Sequence, residues 1–105
     1  MKLTITSNAT RTVHPLPSGN MLLLLDVLGM GDCYPKEELN RNVFLVDSQG
    51  HAIWRIAYHE GIDGADPFVG VTVRPDCTVV AGTWEGWHFS VDLANGSLTK
   101  LGWSK

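Results

Sequence analysis

Gly86-Trp87-His88-Phe89-Ser90-Val91-Asp92-Leu93-Ala94-Asn95-Gly96-Ser97-Leu98-Thr99-Lys100-Leu101-Gly102-Trp103 decides the fold. Two runs rich in aromatic and β-branched residues, Gly86 to Asp92 and Ser97 to Trp103, flank a short turn that ends in Asn95-Gly96. That pattern specifies an antiparallel hairpin. Alternation places Trp87, Phe89 and Val91 on one face and His88 and Ser90 on the other. The Asp92 carboxylate can cap the turn, and Gly96 supplies a positive φ.

The same phrase occurs earlier, as Phe44-Leu45-Val46-Asp47 followed by Gly50. Upstream of each lies a second matching segment, Pro17-Ser18-Gly19-Asn20-Met21-Leu22-Leu23 in one case and Pro75-Asp76-Cys77-Thr78-Val79-Val80 in the other. Strand pairs follow around each turn: Thr10 to Leu16 with Met21 to Leu28, Asn42 to Asp47 with His51 to Ala57, and Phe68 to Val73 with Cys77 to Thr83. Leu3 to Thr6 reads as a further edge strand. The repeating unit is therefore two hairpins, spanning about residues 10–57 and 68–103. The predicted fold is all-β, one domain over residues 1–105, made of two four-stranded antiparallel meanders. Those meanders pack as a sandwich, or several chains complete a ring as a homo-oligomer. Trp87, Phe89, Val91, Phe44 and Val46 are the predicted inter-sheet core, and Trp54 and Trp103 read as core or subunit-interface packing residues.

The units differ by one insertion. Gly29 to Arg41 stands where the second unit has Trp84-Glu85-Gly86. Within it, Pro35-Lys36-Glu37-Glu38-Leu39 has the composition for a single helical turn. Long loops in compact domains tend to be functional or disordered. This one mixes Tyr34 and Leu39 with acids such as Glu37, which suits a protein partner.

The phrase of aromatic, any residue, Val-Asp, short turn and Gly resembles the outer hairpin of blades in quinoprotein-type and WD-like propellers. Asn42 to Trp54, together with Thr83 to Lys105, is also similar to a group of small uncharacterised bacterial proteins. That likeness covers roughly residues 42–105 and implies an all-β fold with no known activity.

At 105 residues, 44% hydrophobic and 18% charged, the chain can build one core without metal or disulfide. Its net charge of −3 argues against nucleic acid and anionic membranes. Carboxylates crowd the stretch from Asp26 to Asp66. The start, Met1-Lys2-Leu3-Thr4-Ile5-Thr6, lacks the apolar core of a signal peptide, which predicts a cytoplasmic protein with Cys33 and Cys77 unbridged.

Chemistry-bearing clusters are sparse. In His59-Glu60-Gly61-Ile62-Asp63-Gly64-Ala65-Asp66-Pro67, the carboxylates Glu60, Asp63 and Asp66 could hold a hard cation with His59 as a base. Their spacing does not match a calcium loop, and the competing reading is a solvated connector between sheets. No metal or cofactor is expected. Trp84 beside Glu85 suits a sugar site, with the ring stacking and the acid binding hydroxyls. The histidines His14, His51, His59 and His88 are scattered and read as surface or turn residues. Ser90, His88 and Asp92 share one strand face, so they cannot converge as a triad. Three functions follow from these features. The first is a non-enzymatic interaction protein acting through the Gly29–Arg41 loop or as an oligomer, with a dimer favoured. The second is a carbohydrate or small-ligand module at Trp84 and Glu85. The third is an enzyme using His59 to Asp66.

Overall fold

The computed structural model describes residues 10–27, 34–62 and 64–103. Its elements are β1 (Thr10–Pro15), β2 (Met21–Asp26), α1 (Lys36–Leu39), β3 (Val43–Val46), β4 (Ala52–Arg55), β5 (Phe68–Val73), β6 (Val79–Thr83), β7 (Trp87–Val91) and β8 (Leu98–Trp103). Strands join in sequence order into two 4-stranded antiparallel sheets, β1-β2-β3-β4 and β5-β6-β7-β8. The single helical turn forms where Pro35-Lys36-Glu37-Glu38-Leu39 predicted it. The Leu3 to Thr6 strand and Cys33 lie outside the described residues. Cys77 is an exposed free thiol.

The two sheets share one register. Met21 pairs with Val46, Leu22 with Leu45, Leu23 with Phe44 and Leu24 with Val43. In the second sheet Val79 pairs with Val91, Val80 with Ser90, Ala81 with Phe89 and Gly82 with His88. The first hairpin turn of each unit also matches: Gly19 adopts φ 93° and Cys77 φ 67°, the left-handed region that favours glycine. A cation sits over the matched phenylalanine in both sheets, Arg55 at 5.0 Å from the Phe44 centroid and Lys100 at 6.0 Å from that of Phe89.

The core corrects one expectation. Between the sheets lie Leu22, Leu24, Val43, Leu45, Trp54 and Ile56 from the first unit and Phe68, Val71, Val79, Ala81, Phe89 and Val91 from the second. Phe89 and Val91 are where alternation placed them, with Trp87 packed at the margin. Phe44 and Val46 are not. They lie on the opposite face of the first sheet with Leu23, Leu25 and Val27, beneath Leu39 and Tyr34.

Phe44 and Phe89 occupy matched positions, yet Phe89 points into the seam and Phe44 away from it. That is the geometry of front-to-back stacking, in which the front of one sheet meets the back of the next. The insertion explains why the first sheet tolerates it: α1 covers the sheet's free face, so β3 is buried along its whole length. Among the described residues, no equivalent covers the outer face of the second sheet. Where the first unit uses Leu22, Leu24, Val43, Leu45 and Trp54 to receive its neighbour, the second has Val80, Gly82, His88, Ser90 and Thr99.

Polar groups tie the seam. Asn42 is fully buried and donates through Nδ2 to the Leu25 carbonyl at 2.7 Å and the Phe68 carbonyl at 2.8 Å, while its Oδ1 accepts the Phe68 N–H at 2.9 Å. At the other end of the seam Trp54 lies flat on Gly96, where a Cβ would stand 2.6 Å from its ring, and donates Nε1–H to the Leu93 carbonyl. Among the described residues, no helix is long and apolar enough to cross a membrane.

Candidate functional site

The segment from Ala57 to Pro67 connects the sheets, and it is only partly the solvated connector its composition suggested: Tyr58, Glu60, Ile62 and Ala65 are exposed, whereas His59, Gly61, Asp66 and Pro67 are buried. Asp66 is fully buried and His59 is 9% exposed. The His59 ring meets the edge of Phe68 and the tilted ring of Phe89. Its Nε2 lies 2.8 Å from the Asp66 carbonyl, an acceptor only, so Nε2 carries the proton. The Asp66 N–H donates to Asn40 Oδ1, and Asn40 Nδ2 donates to the His59 carbonyl. These are fastenings for a buried crossing, and His59 is not a surface residue. Its distance from solvent leaves the third function, an enzyme at His59 to Asp66, without an accessible base.

Glu60 turns the other way, to the surface. It accepts from Lys36 Nζ at 2.6 Å and from the Tyr58 hydroxyl. The Lys36 hydrogen bond, then that of Tyr58, holds the Glu60 carboxyl below its ordinary range, while Glu60 raises both Lys36 and Tyr58. Asp63 lies outside the described residues. The cation triad Glu60, Asp63 and Asp66 therefore loses two members in opposite directions, one to the surface and one to the interior. Among the described residues no group of three or more His, Cys, Asp or Glu side chains is placed to hold a metal ion.

The insertion residues separate in the same way. Leu39 is buried at 2% exposure and so serves the first sheet's core and not a partner surface, while Tyr34 packs beside it half-buried. Glu37 is exposed. Arg55 fixes the insertion from below, with an ion pair to Glu38 at 2.8 Å and hydrogen bonds to the Glu38 and Arg41 carbonyls.

The turn Trp84-Glu85-Gly86 is held from several sides. The Trp84 N–H donates to the Pro67 carbonyl, and the Glu85 N–H donates to Asp66 Oδ1 at 2.7 Å. The Glu85 carboxylate accepts the Ile62 N–H at 3.0 Å. Its carbonyl accepts Nε1–H of Trp103, and the Trp87 N–H donates to Thr83 Oγ1. Glu85 thus directs its carboxylate to the connector as well as standing beside Trp84. Held this firmly, the turn displays Trp84 with 55% of its surface exposed. Trp103 is also 56% exposed in the single chain, so it is not part of the core between the sheets, and of its two expected roles packing at a subunit interface is the one left.

Beside Trp84 runs an open groove of about 330 Å³ on the outer face of the second sheet, with Val69, Thr72, Val80 and His88 along it. Its floor is glycine. Gly70 pairs with Gly82, Gly82 with His88, and His88 with Gly102, so glycine holds three of the four positions in that cross-strand row. None of the three has a positive φ. A Cβ at Gly70 or Gly102 would meet nothing, and one at Gly82 would only touch the His88 ring at 3.4 Å. No positive φ and no close packing requires glycine here, although the ladder is irregular beside Gly70 and beside the His88–Gly102 pair, where a bulge also favours glycine. A smaller cavity of about 190 Å³ at the seam, between β2 and the start of β5, reaches none of the candidate residues.

Sequence reasoning missed Asn40, Asn42 and the glycine row. The row had a signal, in that Gly82 and His88 fall opposite Leu24 and Val43 once the repeats are aligned. Asn40 and Asn42 had none beyond polar residues next to a buried strand. A family model described as a domain of unknown function, DUF7957, matches residues 19–103. No curated protein and no solved structure matches the chain.

Proposed function

The chain belongs to the DUF7957 family, domains of unknown function, and from its own geometry we propose that it is a non-enzymatic binding protein whose working surface is the outer face of the second sheet. The observation that carries this reading is the exposed Trp84 on a turn fixed by Pro67, Asp66, Ile62 and Trp103, at the rim of a groove. Displaying a large ring in water contributes little to folding, and rigid display lowers the ordering cost of recognition. The insertion supports the reading indirectly, because it closes the first sheet's free face and leaves the second open.

A nitrogen-15-labelled sample screened by NMR against neutral saccharides, aromatic fragments and short peptides tests it. Shifts should concentrate at residues 69–72 and 80–88. Shifts confined to α1, or none from any class, would reject the reading.

A second reading is a homodimer through the edge strand β8. Leu101 and Trp103 are exposed there, at 55% and 56%, and Lys100 leans inward to 4.1 Å from the Trp87 ring centroid. Bare edges invite pairing unless charge or proline blocks them. The front-to-back stacking of two four-stranded sheets also supports the likeness to propeller blades, although α1 stands where a preceding blade would pack. Light scattering decides the dimer: a mass near the monomer's 11.5 kDa at micromolar concentration ends it.

A further inference from the structure

Resting on the binding-face reading above, we infer that the glycine-floored groove is a subsite for a neutral saccharide, with one sugar ring against Trp84 and its hydroxyls toward Thr72 and His88. Glycine weakens a strand interior and marks places where a ligand comes close to the backbone. Here the ladder irregularities beside Gly70 and beside the His88–Gly102 pair favour glycine at the two flanks of the row, but Gly82 pairs His88 without a register shift, and neither φ nor packing calls for glycine there. The aligned position in the first sheet is Leu24 against Gly82, so a side chain is accommodated there by the same backbone.

Charge and size select the occupant. The residues lining the groove include no Asp, Glu, Lys or Arg, so a phosphate, a carboxylate or an ammonium group would find no counter-charge. Four strands about 4.8 Å apart and about five residues long make a face of roughly 300 Å². A stable protein interface needs about 800 Å² per partner. Sheet-on-sheet docking also depends on interdigitating side chains, and this face presents glycine, serine and threonine instead. A second copy of the chain is therefore a poor fit. The groove's volume of about 330 Å³ lies at the small end for ligand clefts.

Among neutral ligands, the openness of the groove favours a sugar. One face of any ligand lying on this sheet stays in water. A pyranose places an apolar C–H face against the indole and keeps hydroxyls hydrated on the other side. An aromatic ring would leave half its apolar area exposed. Thr72 supplies a hydroxyl and His88 an imidazole, each able to donate or accept.

The test titrates the intact protein with maltohexaose, cellohexaose and chitohexaose in turn, following amide resonances and the Trp84 indole N–H. At least one should saturate the shifts at residues 70–72, 80–84 and 88. Trp84→Ala, which removes an exposed ring, should weaken that affinity about ten-fold. Gly70→Ala puts a Cβ on the floor where nothing lies within 4 Å, so it should weaken binding with no fall in melting temperature. Unchanged affinity in both variants overturns the inference. Shifts at these residues from indole or a peptide but from no saccharide overturn it while leaving the binding face intact. Concentration-dependent shifts there without any ligand replace the sugar by a second copy. Silence from every probe removes both readings.

Discussion

Asn42→Ala tests how the two sheets are joined. The side chain is fully buried, and all three of its hydrogen bonds cross from the end of the insertion to other strands. An intramolecular hydrogen bond contributes about 1 kcal/mol net, and a buried donor left unpaired costs about 1–3 kcal/mol. Alanine removes three bonds and strands the Phe68 N–H, with the Phe68 and Leu25 carbonyls deprived as well. The expected loss is about 3–5 kcal/mol, a large part of the roughly 5–15 kcal/mol typical of a domain. At about 4–5 °C per kcal/mol for a chain of this size, the midpoint should fall by about 12–25 °C. Asn42→Asp should be no milder, because it keeps the acceptor but turns a carboxylate toward two carbonyl oxygens. Thermal unfolding followed by circular dichroism, with exposed Gln49→Ala as control, measures both. A loss below about 1 kcal/mol for Asn42→Ala would refute the reasoning and leave the seam to apolar contact alone.

Two further outcomes follow from burial and charge. Phe89→Ala should cost about 3–5 kcal/mol, as for other buried aromatic deletions, whereas Glu37→Ala should change stability by less than about 0.5 kcal/mol; equal melting of the two by calorimetry would contradict the assigned faces. Glu60 has its folded pKa lowered, so its share of stability is present above the ordinary glutamate range and is lost as the pH falls below about 4. Lys36 is raised, so its share is present up to about pH 10 and is lost above it. Glu60→Gln should flatten both limbs of a pH titration of the melting temperature, and a curve identical to the parent would show that the Lys36–Glu60 pair contributes nothing.

The hairpins were legible because each is a local object. Asn95-Gly96, Gln49-Gly50, Ser18-Gly19 and the Trp84-Glu85-Gly86 turn are written in adjacent residues, and strand pairing follows from them. Faces were legible only where one side of a strand is wet. Trp87-His88-Phe89-Ser90-Val91 alternates because His88 and Ser90 lie on the outer face of the second sheet. Val43-Phe44-Leu45-Val46 does not alternate, since α1 makes its second face an interior too, and the period of two vanishes from the letters. Phe44 was then assigned by analogy with Phe89, which would hold for sheets packed front to front. The candidate site was half legible for a similar reason. Trp84 could be named from its neighbours, but whether Glu85 works with it depends on Ile62, a distant residue in the chain. Asp66 and Glu60 look alike in a polar string, and only tertiary contacts send one inward and the other out.

Front-to-back stacking gives the molecule a polarity, a head and a tail, like a growing polymer with two unlike ends. In such an arrangement a contact between copies is head-to-tail: it closes into a ring where the rotation from copy to copy allows, and otherwise repeats as a filament. This chain terminates at both ends by different chemistry. At the tail, Leu39 and Tyr34 seal the first sheet under a helical turn. At the head, the leucines and valines that would recruit another sheet are exchanged for Gly82, His88, Ser90 and Thr99. A variant that restored Leu at 82 and 88 while losing the α1 cover would carry adhesive surfaces of opposite kind on one molecule, the condition for head-to-tail growth.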